Sequence, residues 1–440
     1  MREAIVQRFG EMGMLKPRLA AGLLCVLVAC SGSGVPMAPQ KSPHFDAVST
    51  QLQLGGTVYA YADIEGDAER AADFLLTLLR DLPDLVPRQG VNRLNATSLV
   101  RILGLHNVQA IGVSSYENES LYHNRSFIHH TGAREGLLKL FGAEAAAFDL
   151  LSIAPKNADL VLEQQVDVRV LVDVVRALGG LGIGTAPEDL DQALNERVLD
   201  LDITLGAILE RSNTTVGLIL AVDEDRPLRI PGESFWFPYT DFLFRVDGLG
   251  ELADAIAERA ALDPLIASER TEEWVTIRPA IRLPPPWNAY EPSVVKEIAT
   301  GRMYVVSTPA FLKKCLSTAD GVAQTDEFMR AFDQLPITGN GLTYLSPRMT
   351  RQMHAVLDRV IEANGSSITS SLARFFLPDA GYPVGWVASN TDEGLLITSN
   401  SPSSHKSTLL TLGYVALLPA AAVVGASFLE PLKVRKPPAM

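Results

Sequence analysis

From Phe45 to Asn400 the chain repeats one local theme: a short run of alternating apolar residues, an acidic or glycine turn, then an amphipathic helix. No other feature constrains the fold as much. Strands repeat with period two and helices with a period near 3.6, and each must bury its apolar side against another element. Thr57 to Ala62 (TVYAYA) reads as a strand with Tyr59 and Tyr61 on one face. After Asp63 to Asp67, a helix over Ala68 to Leu82 carries Ala72, Leu75, Leu76 and Leu79 in a stripe and stops at Pro83. Asp241 to Val246 (DFLFRV), then Asp247, Gly248 and a helix from Leu249 to Ala261, repeat the theme and suggest a diverged internal repeat. Ala158 to Leu162 leads to a helix at Val168 to Leu178, and Met303 to Ser307 enters one capped by Thr308 with Pro309 at its first position. Tyr382 to Ser389 and Leu395 to Thr398 flank Asn390 to Gly394 as a β-hairpin. Returning hairpins and one-sided strands predict an α+β fold of repeated strand-helix units with largely antiparallel sheets, not a doubly wound parallel one.

A chain of 440 residues exceeds one small fold, and two lobes are expected, α+β domain 1 at 45–230 and α+β domain 2 at 231–400. The boundary is placed near Asp223 to Pro238, which includes the proline and aromatic run Ile230 to Pro238; Leu283 to Trp287 (LPPPW) is a second such loop. Three cysteines, Cys25, Cys30 and Cys315, give no disulfide framework. Packing must hold the core, and Cys315 is expected to be a buried structural thiol. A net charge of −13 repels phosphate backbones, so nucleic acid is not an expected partner.

Met14 to Cys30 (MLKPRLAAGLLCVLVAC) has Lys16 and Arg18 ahead of an apolar stretch of 11 residues, Leu19 to Ala29. That is too short to span a bilayer, which takes roughly 20 apolar residues, and it suits the h-region of a signal peptide over 1–29. Glu3 and Glu11 suit an n-region poorly, which points to a start at Met12 or Met14. Leu27-Val28-Ala29-Cys30 resembles the bacterial lipoprotein signal, or lipobox. The resemblance implies acylation at Cys30, a palmitate-bearing lipid anchor in the cell envelope. Ser31 after the cysteine implies the outer membrane rather than the inner, with the body facing periplasm or surface. Residues 30–44 then read as a flexible tether.

Between Lys406 and Glu430, 23 residues (407–429) carry no charge, and a basic tail follows at 430–440. As a C-terminal apolar helix this segment would be about 34 Å long, which makes it a transmembrane candidate despite Pro419. The tail fits the positive-inside rule, which conflicts with outer-membrane sorting. The segment also resembles bacterial C-terminal sorting signals and, loosely, pilin-like proteins; a buried core helix is the alternative.

Three runs, APKNADL at Ala154 to Leu160, GLTYLSP at Gly341 to Pro347 and the terminal hairpin GYPVGWVASNTDEGLLITSNS, resemble a group of exported bacterial proteins known as a domain of unknown function. The resemblance implies an α+β envelope protein and assigns no catalytic residue. Chemistry is equally sparse in the residues. His123, His129 and His130 lack HExxH or CxxC company, and adjacent strand residues His129 and His130 face opposite ways, so no metal site is expected. Gly179 to Gly184 (GGLGIG) follows a helix and lacks the lysine of a phosphate loop, so it reads as a helix C-cap and turn. There is no GxSxG elbow, Ser403 and Lys406 lack the partner motifs of an SxxK pair, and Asp63 with Glu65 and Asp223 with Asp225 read as turn caps. No cofactor and no catalytic residue is assigned, and the reading favours a non-enzyme. The expected function is a non-catalytic cell-envelope lipoprotein, a binding or scaffold module. Its partners would be the membrane, through the lipid anchor and the C-terminal helix, and an envelope protein or apolar ligand. The alternatives are an envelope hydrolase with an unrecognised site and a component of a surface-display or pilus-like system.

Overall fold

The computed structural model describes residues 41–406, apart from 82–93 and positions 183, 199–200, 202, 211–212, 233–234, 261, 318–319, 367–369, 371–372 and 375–376. The expected signal peptide, Cys30, most of the tether, the apolar segment 407–429 and the basic tail therefore lie outside the described residues. No helix among the described residues is long and apolar enough to cross a membrane.

The expected units form close to where the periodicity puts them. Helix α1 (Phe45–Ser49) precedes strand β1 (Val58–Asp63), helix α2 (Asp67–Asp81), helix α3 (Ala96–Leu103) and the hairpin β2 (Val108–Asn118) and β3 (Leu121–His130). Ala72 and Leu76 of the predicted stripe are buried, and Asn95 caps α3 by accepting from Ser98 N at 2.7 Å. After β4 (Ala146–Ala147) come β5 (Leu160–Asp167), α4 (Val168–Gly180), α5 (Pro187–Asn195) and α6 (Leu205–Glu210). Gly182, at φ 82°, turns the chain past α4 by giving its N–H to Gly179 O at 2.8 Å, so GGLGIG is the helix-ending turn its composition predicts.

A long hairpin, β6 (Asn213–Arg229) and β7 (Trp236–Val246), then leads through α7 (Gly250–Ala260) to β8 (Ile266–Arg270), β9 (Trp274–Pro279), β10 (Ser293–Glu297) and β11 (Met303–Val306). Helix α8 (Pro309–Leu316) starts as predicted, with Thr308 accepting from Phe311 N at 3.1 Å. It is followed by α9 (Asp326–Ala331), β12 (Thr338–Gly339), β13 (Gly341–Leu345), α10 (Pro347–Asn364) and the hairpin β14 (Val384–Asn390) and β15 (Gly394–Ser401).

Thirteen of these strands form one sheet in the order β1-β2-β3-β15-β14-β13-β5-β6-β7-β11-β10-β9-β8, while β4 and β12 pair separately. The pairings in this sheet are antiparallel. The protein is thus α+β with a large antiparallel sheet. The turn expected to separate the lobes joins β6 to β7, whose register runs from Val216↔Val246 to Arg229↔Trp236 with a bulge between Asp223 and Pro227. The sheet continues through it, and the described residues from His44 to Lys406 fall within one compact unit.

One face of the sheet carries the largest core. Val161, Ile219, Leu243, Leu342, Tyr344 and Val387 from five neighbouring strands lie under Phe311 and Cys315 of α8 and Phe328 of α9. Phe328 stacks on Phe332 at 4.3 Å, and both lean on Tyr344. Cys315 is 1% exposed, as expected of a structural thiol. One-sided burial does not hold everywhere. Strands β2 and β3 are buried on both faces, because Val48 and Leu52 of the α1 region cover Phe127 while Leu138 and Phe141 cover Ile128.

Candidate functional site

On the sheet face opposite the main core, α10 lies across β6 and β7. Its apolar residues Met349, Met353, Val356 and Val360 recur at four, three and four positions, so they share one side of a helix. They face Leu220, Val222, Phe237 and Pro238, and between the two layers remains an open, almost wholly apolar cleft of about 440 Å³. Among the described lining residues two have polar side chains, Thr240 and Gln352, and none is ionisable. Thr240 spends its hydroxyl on Pro238 O at 3.2 Å. Gln352 Oε1 is buried without a hydrogen-bond donor, an arrangement that costs about 1–3 kcal/mol unless something entering the cleft donates to it.

Both ends of α10 are fixed. At the N-terminus, Ser346 caps Met349 N at 3.0 Å and gives its hydroxyl to Asp159 Oδ1 at 2.6 Å. The Asp159 carboxylate also accepts from Val222 N at 2.7 Å and from Arg348 Nε and Nη2 at 2.8 and 2.7 Å. One buried acid therefore joins β5, β6 and the start of the helix. Further along, His354 Nε2 donates to Pro378 O at 2.8 Å, and the Arg359 guanidinium sits 3.7 Å over the Trp236 ring while donating to Trp236 O at 3.1 Å. A clamped wall over an unfilled apolar floor can take up an apolar chain; its described lining residues offer no acid, base or nucleophile.

A second, polar recess of about 290 Å³ opens where the core face runs into Glu163, Arg245 and Asp247. Burial raises the Glu163 pKa above the ordinary range, against the pull of the Leu150 N–H it accepts at 2.7 Å and of Arg245 at 3.7 Å. Arg245 is held in turn by Asp247 through bonds of 3.0 and 2.8 Å. Among the described residues these groups pair with one another.

The histidines bear on the hydrolase alternative. His405 Nε2 lies 3.1 Å from Ser126 Oγ and 3.1 Å from Arg125 O. One nitrogen cannot donate to Arg125 O and accept from Ser126 Oγ at once, so the two contacts compete. Nδ1 is buried without a partner, and burial holds the ring's pKa down to about 4. His123 Nδ1 faces Asn400 Oδ1 at 2.8 Å, and His129 Nδ1 donates to Glu393 O at 2.8 Å; neither nitrogen of the buried His130 has a hydrogen bond. The carboxylate pairs cap turns as expected, Glu65 N on Asp63 Oδ1 at 3.1 Å and Asp225 N on Asp223 Oδ1 at 3.2 Å. Ser403 offers its carbonyl to Asn124 and Ser401, and Lys406 is exposed.

Sequence reading assigned no residue to the cleft, although the methionine and valine spacing over 349–360 was there to see. Helical spacing says that a side is apolar; it does not say that the facing strands leave room. Comparison with family models, with curated proteins and with solved structures finds no match. What fold and site define is a class, an antiparallel α+β protein with a clamped apolar cleft.

Proposed function

We propose that the protein is a non-catalytic, lipid-anchored binding module of the cell envelope that receives an apolar chain between α10 and the β6–β7 hairpin. The observation that carries the reading is the cleft of about 440 Å³ with apolar walls, no ionisable group among its described lining residues and one orphan acceptor at Gln352. A fatty chain bearing a hydroxyl or amide N–H matches it, since the chain buries apolar surface at roughly 25 cal/mol per Å² and its donor satisfies Gln352. Anchoring through Cys30 places such a module beside its ligands, and the resemblance of Leu27 to Cys30 to a lipobox supports it.

Two measurements test the proposal. Titration of an environment-sensitive fluorescent fatty acid should saturate at one per chain, and 3-hydroxy fatty acids should displace it better than unsubstituted ones. Absence of saturable binding would remove the reading. Metabolic palmitate labelling should be lost in Cys30→Ala, and labelling that persists would remove the anchor. Neither alternative function gains an observation: His405 Nδ1, in the Ser126–His405 pair, has no carboxylate to orient the ring, and the surface-display reading rests on residues outside those described.

A further inference from the structure

One register row crosses the sheet from Ser115 of β2 to Phe244 of β7, and its last five members are Trp386, Thr343, Leu162, Leu218 and Phe244. Residues paired in register lie on one face, and their neighbours along each strand lie on the other. The neighbours Val387, Leu342, Val161, Ile219 and Leu243 belong to the buried core. In the row itself Trp386, Thr343, Leu162 and Leu218 are only half-buried, and Phe244 is 38% exposed. None of the five is among the described residues that line the α10 cleft. We propose that residues 407–429 of this chain lie along this row and cover it, so that the apolar segment packs on its own sheet.

The place where the described chain ends selects that occupant. His405 gives its backbone N–H to Ser115 Oγ at 2.9 Å, and Ser403 O accepts from Asn124 Nδ2 at 3.1 Å. Ser115 and Asn124 pair with each other at the head of the row. The chain is therefore fastened to the row's first two residues, on the same face, one residue before the uncharged segment starts.

Length agrees with position. From β2 to β7 the row crosses seven strand spacings of about 4.8 Å, or about 34 Å in all. The 23 uncharged residues would make a helix of the same length, about 34 Å. Their pattern suits one-sided packing: Leu410, Tyr414, Leu417, Ala421, Val424 and Phe428 recur at alternate spacings of four and three, which puts both aromatic residues of the segment on one side of a helix. The row and the segment both lack charge, so packing them together buries no ion.

Photo-crosslinking of the full-length chain, in cells and in detergent, tests the proposal. p-Benzoylphenylalanine is placed at Trp386 in one variant and at Phe244 in another, with Met329, 53% exposed on α9, as the control position. Mass spectrometry should find intramolecular adducts within 407–429 from both row positions, at least tenfold above the yield from Met329. Because the chain enters at β2, Trp386 should capture the first half of the segment and Phe244 the second. Adducts to lipid or detergent, adducts to a second copy or to another protein, the reverse order of the halves, or a yield no greater than the control would each overturn the proposal. Phe244→Cys gives a second readout at an exposed position: maleimide should modify residue 244 at least tenfold faster when 407–440 are removed than in the full chain, and equal rates would count against the cover. Circular dichroism of each variant separates loss of the contact from loss of the fold.

Discussion

Replacing Asp159 with alanine tests whether α10 is clamped as the geometry says. The Asp159 side chain is 2% exposed and accepts from Val222 N, Ser346 Oγ and the Arg348 guanidinium at 2.6 to 2.8 Å. Removing it strands the Val222 N–H, at a cost of about 1–3 kcal/mol for a buried unsatisfied donor. The Arg348 side chain is 35% exposed and can turn to water, so the ~3–5 kcal/mol of breaking a fully buried ion pair is an upper bound for its share. Together these put Asp159→Ala at about 3–4 kcal/mol. Asp159→Asn should cost about half as much, since the amide keeps an accepting oxygen but turns its NH₂ toward the guanidinium. In urea unfolding the midpoint should fall with the slope unchanged. A double-mutant cycle with Arg348→Met should give a coupling of about 1–3 kcal/mol. Fatty-acid affinity should fall in the same variants without denaturant, because the helix that walls the cleft begins at this contact. A loss under about 0.5 kcal/mol for Asp159→Ala, the size of an ordinary surface substitution, would refute the reasoning.

Three further outcomes follow from single contacts. A Cβ on Gly385 would lie 2.2 Å from Ala331 O, so Gly385→Ala should separate β14 from α9 and cost about 1–3 kcal/mol in urea unfolding. The Cys315 thiol, 1% exposed and pushed up to about 12 by burial, should resist a thiol reagent at pH 8 until the protein is denatured, measured in a Cys25→Ser, Cys30→Ser background. For His405, burial lowers the folded pKa to about 4, so the neutral ring's contribution is present above the unfolded value of about 6.5 and is lost as pH falls toward 4. Urea titrations across that window should show stability falling with acid by up to about 1.4 kcal/mol per pH unit from this residue, and His405→Gln should remove that slope.

Local patterns were legible in the sequence because they depend on neighbours in the chain. The alternation at Asp241 to Val246, the Thr308–Pro309 helix start and the glycine turn after α4 each need only a few residues to specify them, and each stands where the pattern puts it. Pairing across the sheet was not legible. Nothing within Ala158 to Leu162 tells that β5 will lie between β13 and β6, or that the run after Asp223 turns back into the same sheet. Asp63 with Glu65 needed only near neighbours and caps a turn as read, whereas His44 comes to lie beside Glu65 only through the packing of α1 on β2 and β3. The strands β2 and β3 were not read from the sequence at all, and their polar residues His123, Asn124 and Ser126 are buried because both faces are covered.

The two faces of the sheet differ because of what is available to cover them, and that difference supplies the last test. Helices α8 and α9 bring Phe311, Phe328 and Phe332 onto the core face. Over the far side of the hairpin lies α10, whose 18 residues span about 27 Å, against some 56 Å for the 17 residues of β6. Clamped near Asp159 and Arg359, the helix holds its apolar side off Leu220, Val222 and Phe237, and the cleft is the space between them. Val356→Trp should fill that space: fatty-acid binding should fall at least tenfold while the unfolding free energy changes by less than about 0.5 kcal/mol. If α10 instead packs tightly on the hairpin in solution, the larger ring would overpack the interface and cost about 1–3 kcal/mol, which would refute the cleft. Gln352→Leu discriminates further, since losing an orphan acceptor should stabilise the free protein by about 1 kcal/mol. It should weaken hydroxylated chains and leave unsubstituted ones bound as before, and equal weakening of both would show that the acceptor plays no role in recognition.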